Sequence, residues 1–304
     1  MQRAILAVQF GPLEGTKAIL EPGGRLRVGR KPNADLVVPD KQMSGVHFEL
    51  SWDGGRCALR DLGSARGTLL GGEPVTAGEV PHGGWIRAGG TDFLLHVEAR
   101  TPPPIDFESY LDDAEEDEVE PLAAQWLAEN REPRRRAAEA RDRRAEAALR
   151  GLEAGPEPLY AILDAARSDR IPVLLKESVE AYRSLFEGLE GDSMAHVAPY
   201  LVELPRGSAL LGRIVREGWE RRWGVFLAYP RSFKELRRHL RRLLMVADAE
   251  TRKKYYFRFY DPVVLRAFLP TCSTRQRSEM FGEIRVFFAE GAEGELERMG
   301  AEEG

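Results

Sequence analysis

Three short stretches near the amino terminus carry side chains able to hold an anion: Gly29-Arg30, Ser44-Gly45-Val46-His47 and Asp61-Leu62-Gly63-Ser64-Ala65-Arg66-Gly67-Thr68. A planar guanidinium makes charge-assisted bonds to a phosphate dianion, and hydroxyl or backbone donors on loops complete the grip. Each piece alone also reads as plain structure, because Gly-Arg is a common turn and Ser-x-x-His can brace two loops. Residues 156–304 offer less chemistry. His196 and His239 stand alone, with no Gly-x-Ser-x-Gly elbow, no Gly-rich loop before Lys-Ser or Lys-Thr, and no His-Glu-x-x-His. Asp164 and Asp261, each at a strand end, could form a carboxylate pair for acid–base work, but turn or cap aspartate is the commoner role. Cys57 and Cys272 lie far apart, and neither has a second Cys or a His at zinc-ligand spacing. The expectation is therefore a binding protein and not an enzyme, with no catalytic residue, no metal, no disulfide and no cofactor.

The elements around the first set are short and alternate in polarity. Ala4 to Phe10, Lys17 to Leu20, Leu26 to Val28, Leu36 to Val38, Val46 to Trp52, Cys57 to Leu62, Trp85 to Arg87 and Phe93 to Val97 read as strands between Gly, Asn and Asp turns. That pattern predicts an antiparallel β-sandwich over residues 1–99. Thr101-Pro102-Pro103-Pro104 and the self-repelling run Asp112 to Glu118 begin a linker over 100–155. Within it, Pro121 to Asn130 reads as a short helix, and Pro133 as the first residue of a second helix through Leu152, stopped by Gly151 and Gly155. Few large apolar residues mark this second helix, which predicts a solvated spacer. From 156 to 290, strands at 159–163, 200–204, 224–228, 255–260 and 284–288 alternate with helices at 173–186, 209–217, 233–246 and 263–268, predicting an α/β domain. Residues 291–304 read as a flexible tail. The fold class expected is thus two-domain, a β-sandwich plus an α/β domain joined by an acidic, partly helical linker.

The order and spacing of the amino-terminal motifs over residues 3–97 resemble the forkhead-associated (FHA) domain, a β-sandwich that binds phosphothreonine peptides. The resemblance implies that Arg30 binds phosphate, that Ser44 donates from its hydroxyl, and that Gly29, His47, Gly67 and Thr68 shape the loops. Gly29 would permit the tight turn that aims Arg30, and His47 would brace one loop against the next. The family usually presents Thr-Asn before the Gly-Thr pair, whereas Ala65-Arg66 stands here. The peptide clamp is altered, and Arg66 becomes a candidate second phosphate cation or a sign of relaxed peptide selection.

The succession Leu159 to Ala166, Tyr182 to Gly188, Ala198 to Val202, Trp223 to Leu227, Ser232 to Val246 and Phe257-Arg258-Phe259-Tyr260-Asp261-Pro262 resembles a bacterial family long named only as a domain of unknown function. Its members are type VI secretion effector chaperones or adaptors. The resemblance implies binding of a toxin effector protein and its loading onto a VgrG-like spike protein, with effector-contact residues unassigned.

Charge and hydropathy bound the partners. Residues 1–100 hold 12 basic and 11 acidic side chains, 101–155 hold 8 and 15, and the remainder 24 and 23, so the net charge of -5 belongs to the linker. Near-neutral domains argue against nucleic acid as a partner, although Arg237-Arg238-His239-Leu240-Arg241-Arg242 keeps open a phosphorylation-responsive signalling or transcriptional regulator as the alternative. No membrane span and no secretion signal are read, and the expected location is the cytoplasm. A threonine-phosphorylated protein, a type VI effector and a VgrG-like spike are the partners expected.

Overall fold

The computed structural model describes residues 2–104, 121–186, 194–247 and 253–301, in two compact units. The first is Met1–Pro102 with Lys176–Val179, and the second is Pro103–Leu175 with Glu180–Gly304.

The first unit is a two-sheet sandwich. Its strands are β1 (Ala4–Phe10), β2 (Lys17–Leu20), β3 (Arg25–Gly29), β4 (Leu36–Val37), β5 (Phe48–Trp52), β6 (Cys57–Asp61), β7 (Thr68–Leu70), β8 (Glu73–Val75), β9 (Ala77–Val80), β10 (Gly84–Ala88) and β11 (Thr91–Val97). One sheet runs β2-β1-β11-β10-β7-β8 and the other β4-β3-β5-β6-β9, with every pairing antiparallel except β3 with β4. Alternation does the work: Val28, Phe48, Leu50 and Leu59 from one sheet meet Leu6, Val8, Ile86, Phe93 and Leu95 from the other. Cys57 lies in this core, and burial pushes its thiol up to about 12, so it packs as a small apolar group.

The second unit opens with α1 (Pro121–Glu153), followed by β12 (Leu159–Asp164), α2 (Arg170–Lys176), β13 (Tyr182–Ser184), β14 (Pro199–Leu204), α3 (Ala209–Gly218) and β15 (Gly224–Ala228). It continues with α4 (Phe233–Leu243), β16 (Met245–Ala247), β17 (Lys254–Tyr256), α5 (Pro262–Phe268), α6 (Thr274–Phe281), β18 (Val286–Glu290) and β19 (Leu296–Gly300). The central sheet is ordered β13-β14-β12-β15-β18-β19, and each of its pairings is antiparallel. The α/β layer expected from alternation is therefore an antiparallel sheet with a helical layer on each face. Leu159, Ala161 and Leu163 of β12 face α1, α2 and α3, while Tyr160 and Ile162 face α4, α5 and α6. Burial on both faces explains why these strands read as continuous apolar runs.

Several expected elements are corrected. α1 is one helix running through exposed Pro133, because the Ala, Glu and Arg residues around it favour helix strongly enough to absorb the roughly 3 kcal/mol a helix-interior proline costs. Its last turns are not a solvated spacer: Ala145, Ala148, Leu149 and Leu152, at helical spacing, are buried in the core. Gly151 does not stop this helix but packs inside it, where a Cβ would lie 2.6 Å from Leu296. The helix expected over 173–186 ends at Lys176, and Tyr182–Ser184 is a strand. The tail expected over 291–304 includes β19, paired with β18 from Val286↔Gly300 to Glu290↔Leu296. The acidic run at 112–118 lies outside the described residues.

Candidate functional site

The three amino-terminal motifs meet at one end of the sandwich. Arg30 follows β3, Ser44 to His47 lie between β4 and β5, and Gly63 to Gly67 join β6 to β7. Backbone bonds hold the first two loops together, from Arg30 N–H to Ser44 O at 2.9 Å and from Lys31 N–H to Gly45 O at 3.0 Å. Gly29 is required for this contact. A Cβ there would sit 2.3 Å from Gly45 O and 2.7 Å from Val46 Cα, so it serves close backbone approach, not the tight turn expected.

His47 is fully buried and bridges two loops. Its Nδ1 accepts from Ser44 N–H at 3.0 Å, which places the ring proton on Nε2 to donate to Gly67 O, also at 3.0 Å. Ser44 Oγ accepts from Ala65 N–H at 3.0 Å, leaving its hydroxyl proton to donate elsewhere. Arg30 is exposed, and its Nε donates to Met43 O at 3.2 Å. The Nη groups beyond that anchor meet no carboxylate among the described residues. Arg66, also exposed, donates to Gln42 Oε1 at 2.8 Å, so the residue standing where the family has Asn joins the same rim.

Two aspartates set these loops in place. Asp61 accepts from Gly63 N–H (2.9 Å), Ser64 N–H (2.8 Å), Ser64 Oγ (2.6 Å) and buried Thr68 Oγ1 (2.6 Å). Burial raises its pKa, but the bonds from Ser64, Thr68 and Gly63 outweigh that and leave the carboxyl below the ordinary aspartate value. Gly67, at φ 74, closes this loop in a left-handed conformation. Asp40 accepts from Gln42 N–H (2.8 Å), Gly90 N–H (2.7 Å) and Thr91 Oγ1 (2.8 Å), and its pKa is likewise lowered by those donors against the upward pull of burial. Asp40 was not legible as a site residue; the Asp-x-Gly-Ser pattern after β6 was the available signal for Asp61.

Residues 26–89 match the family model of the FHA domain. The chain carries an FHA domain. Over 86 residues it is 31% identical to the glycogen accumulation regulator GarA of Mycolicibacterium smegmatis, and over 70 residues 33% identical to the FHA domain-containing protein FhaA of Mycobacterium tuberculosis. These alignments cover 28% and 23% of this chain, and the chain spans about half of GarA (54%) and 13% of FhaA. An FHA domain solved in a structural and functional analysis of phosphothreonine-dependent interactions is 30% identical, with 31% of this chain and 95% of that one covered at a TM-score of 0.29. Residues 159–279 match a domain of unknown function, DUF4123.

In that second region the structure joins the two aspartates that the sequence left as caps or a carboxylate pair. Both are caps: Asp164 accepts from Ala166 N–H at 3.2 Å, and Asp261 from Val263 N–H at 2.9 Å at the start of α5. Both also carry arginines. Asp261 takes Arg222 Nη2 at 2.6 Å together with Arg167, and Asp164 takes Arg258 with Arg167 Nε 3.8 Å away. Burial raises the pKa of Asp261, yet the bonds from Arg222 and Arg167 more than reverse it and leave the carboxyl below the ordinary aspartate value. Arg222 has φ 57, and its N–H donates to Glu290 Oε1 at 2.9 Å. Among the described residues no group of three or more His, Cys, Asp and Glu could hold a metal, and no helix is long and apolar enough to cross a membrane.

The basic run on α4 divides by role. Arg237 donates to Ser184 O at 2.8 Å and Arg241 to Leu185 O at 3.0 Å, fastening the end of β13, while Arg238 and Arg242 are exposed. His239 is held by Met280 O at 2.9 Å.

Proposed function

We propose that the protein is an adaptor whose FHA domain reads a phosphothreonine on one partner while its carboxy-terminal unit holds a protein cargo. On the FHA side, Arg30 and the Ser44 hydroxyl bind the phosphate, Arg66 adds a second cation, and His47, Gly29, Gly67 and Thr68 keep the loops in register. The observation that carries this reading is the convergence of Arg30, Ser44 and Arg66 on one rim, held by Met43 O, Ala65 N–H and Gln42 over a loop that Asp61 braces. On the cargo side, the match to DUF4123 and the Phe257 to Pro262 motif support a type VI secretion effector as cargo and a VgrG-like spike as its destination. The adaptor then works in the cytoplasm, by binding and not by catalysis. A tether between the two sites raises the local concentration of one ligand near the other.

The test is mass spectrometry of what co-purifies with the tagged protein from its native host, for wild type and Arg30→Ala. A secreted toxin and a VgrG-like protein in both samples, with a phosphoprotein missing from Arg30→Ala alone, is the expected result. Recovery of only kinases, transcription factors or DNA would favour the regulator instead. That reading draws less from α4 than its sequence promised, since Arg237 and Arg241 are committed to loop carbonyls.

A further inference from the structure

The rim at the end of the sandwich carries more positive charge than one phosphate needs. Four exposed cations stand on its three loops: Arg30 and Lys31 after β3, Lys41 between β4 and β5, and Arg66 between β6 and β7. None of the four is ion-paired with a carboxylate among the described residues; the side chains of Arg30 and Arg66 rest on neutral oxygens. The aspartates of the same loops are engaged elsewhere. Asp35 accepts from Arg27 N–H at 2.7 Å, Asp40 from Gln42 N–H, Gly90 N–H and Thr91 Oγ1, and Asp61 from Gly63, Ser64 and Thr68. Asp40 and Asp61 thus brace the loops from within, while the four cations face water.

Lys31 is placed with respect to the same residues as Arg30. Its N–H donates to Gly45 O at 3.0 Å, and its stem crosses Gly45, where an added Cβ would come within 3.1 Å of Lys31 Cδ. Gly45 follows Ser44, so this stem passes beside the hydroxyl that the phosphate reading uses. Lys41 immediately precedes Gln42, the residue on which Arg66 rests. A phosphorylated threonine carries close to two negative charges at neutral pH, which Arg30 and Arg66 balance. Lys31 and Lys41 are then left over, on loops whose backbones are fixed to the same site.

We propose that the rim selects a phosphothreonine with further anionic groups close by in the peptide, carboxylates or another phosphate, which Lys31 and Lys41 hold while Arg30, Ser44 and Arg66 hold the first phosphate. This rests on the phosphothreonine reading given above and supplies the class of peptide it applies to.

The test titrates the full chain with three fluorescein-labelled peptides. One has a phosphothreonine flanked on both sides by glutamines, the second has glutamates in place of the glutamines, and the third has a phosphoserine in place of one glutamine on each side. The glutamate peptide binds roughly tenfold more tightly than the glutamine peptide at low salt, an advantage that added salt erodes. Lys31→Gln with Lys41→Gln, both at exposed positions, cuts that ratio to about twofold with the melting temperature intact. A larger gain from phosphoserine than from glutamate identifies a second phosphate as the natural group, and the reverse identifies acidic side chains; both support the proposal. Equal binding of the glutamine and glutamate peptides, each lost in Arg30→Ala, overturns it and leaves the phosphothreonine reading standing. An undiminished ratio in the double lysine variant also overturns it. A glutamate peptide that binds as tightly without its phosphate, or failure of all three peptides to bind, removes the phosphothreonine reading and this inference with it.

Discussion

Arg30 and Arg222 are both arginines at strand ends, on loops fixed by backbone bonds, and they are left in opposite electrostatic states. Arg30 is steered by a single carbonyl, and no carboxylate among the described residues answers its charge. Arg222 already lies bidentate on buried Asp261, 2.6 and 2.8 Å from its two oxygens. The difference separates an arginine whose charge is left open from one committed to the fold. The first is positioned by a neutral carbonyl, as the proposed phosphate role requires, whereas the second has its anion built into the fold.

The contrast can be broken at four points. Asp261→Ala removes an N-cap and the partner of two arginines together, and should cost the carboxy-terminal unit about 3 kcal/mol, read as a lower urea midpoint with phosphopeptide affinity unchanged. Arg30→Ala should do the reverse: affinity for a phosphothreonine peptide falls about a hundredfold by titration calorimetry, while the melting temperature holds. Unchanged affinity would show that this rim does not hold phosphate.

Asp61→Asn tests the support beneath the rim. Losing carboxylate acceptance from the Ser64 and Thr68 hydroxyls should cost about 2 kcal/mol and weaken phosphopeptide binding about tenfold. The same bond set fixes a pH dependence. Because the folded pKa values of Asp61 and Asp40 are lowered, their stabilisation is complete above the unfolded aspartate value, near pH 4, and is lost as pH falls from there through the folded values. The urea midpoint of Asp61→Asn should therefore fall less than that of wild type as the pH is lowered below about 4. The smallest effect is expected from Arg66→Asn, a loss of about threefold in affinity with a shallower salt dependence, measured by repeating the titration at two ionic strengths.

What the sequence made legible follows from how each element is stabilised. Strands such as β3, β6 and β10 were readable because one face is apolar and the other wetter, whereas β7, β8 and β9 are only three or four residues long, and β8 and β9 carry Glu, Pro and Gly. The rim of Arg30, Ser44 and Arg66 was readable as residue types in order, but the reason for Gly29 was not, since close approach of another loop leaves no local trace. In the second unit, α1 hid its core face because alanines at 145 and 148 do not register as large apolar residues. α6 went unread because of its residues only Met280 and Phe281 are buried, although the Ser273 and Gln276 capping box was a start signal in plain view. Of the Arg222 network the sequence suggested only Asp164 and Asp261 as a pair; its arginines come from positions 167, 222 and 258, and only the folded sheet brings all five to one end.

The alanine face of α1 and the pairing of β19 with β18 also determine what can be inherited or cut out as a piece. A segment running from 156 to 290 would leave behind Ala145, Ala148, Leu149, Leu152 and Leu296, opening one helical layer and exposing an edge of the sheet. The heritable module is therefore longer than its most distinctive residues suggest. Recombination that joins this unit to a different domain must cross over ahead of α1, so the helix travels with the carboxy-terminal unit.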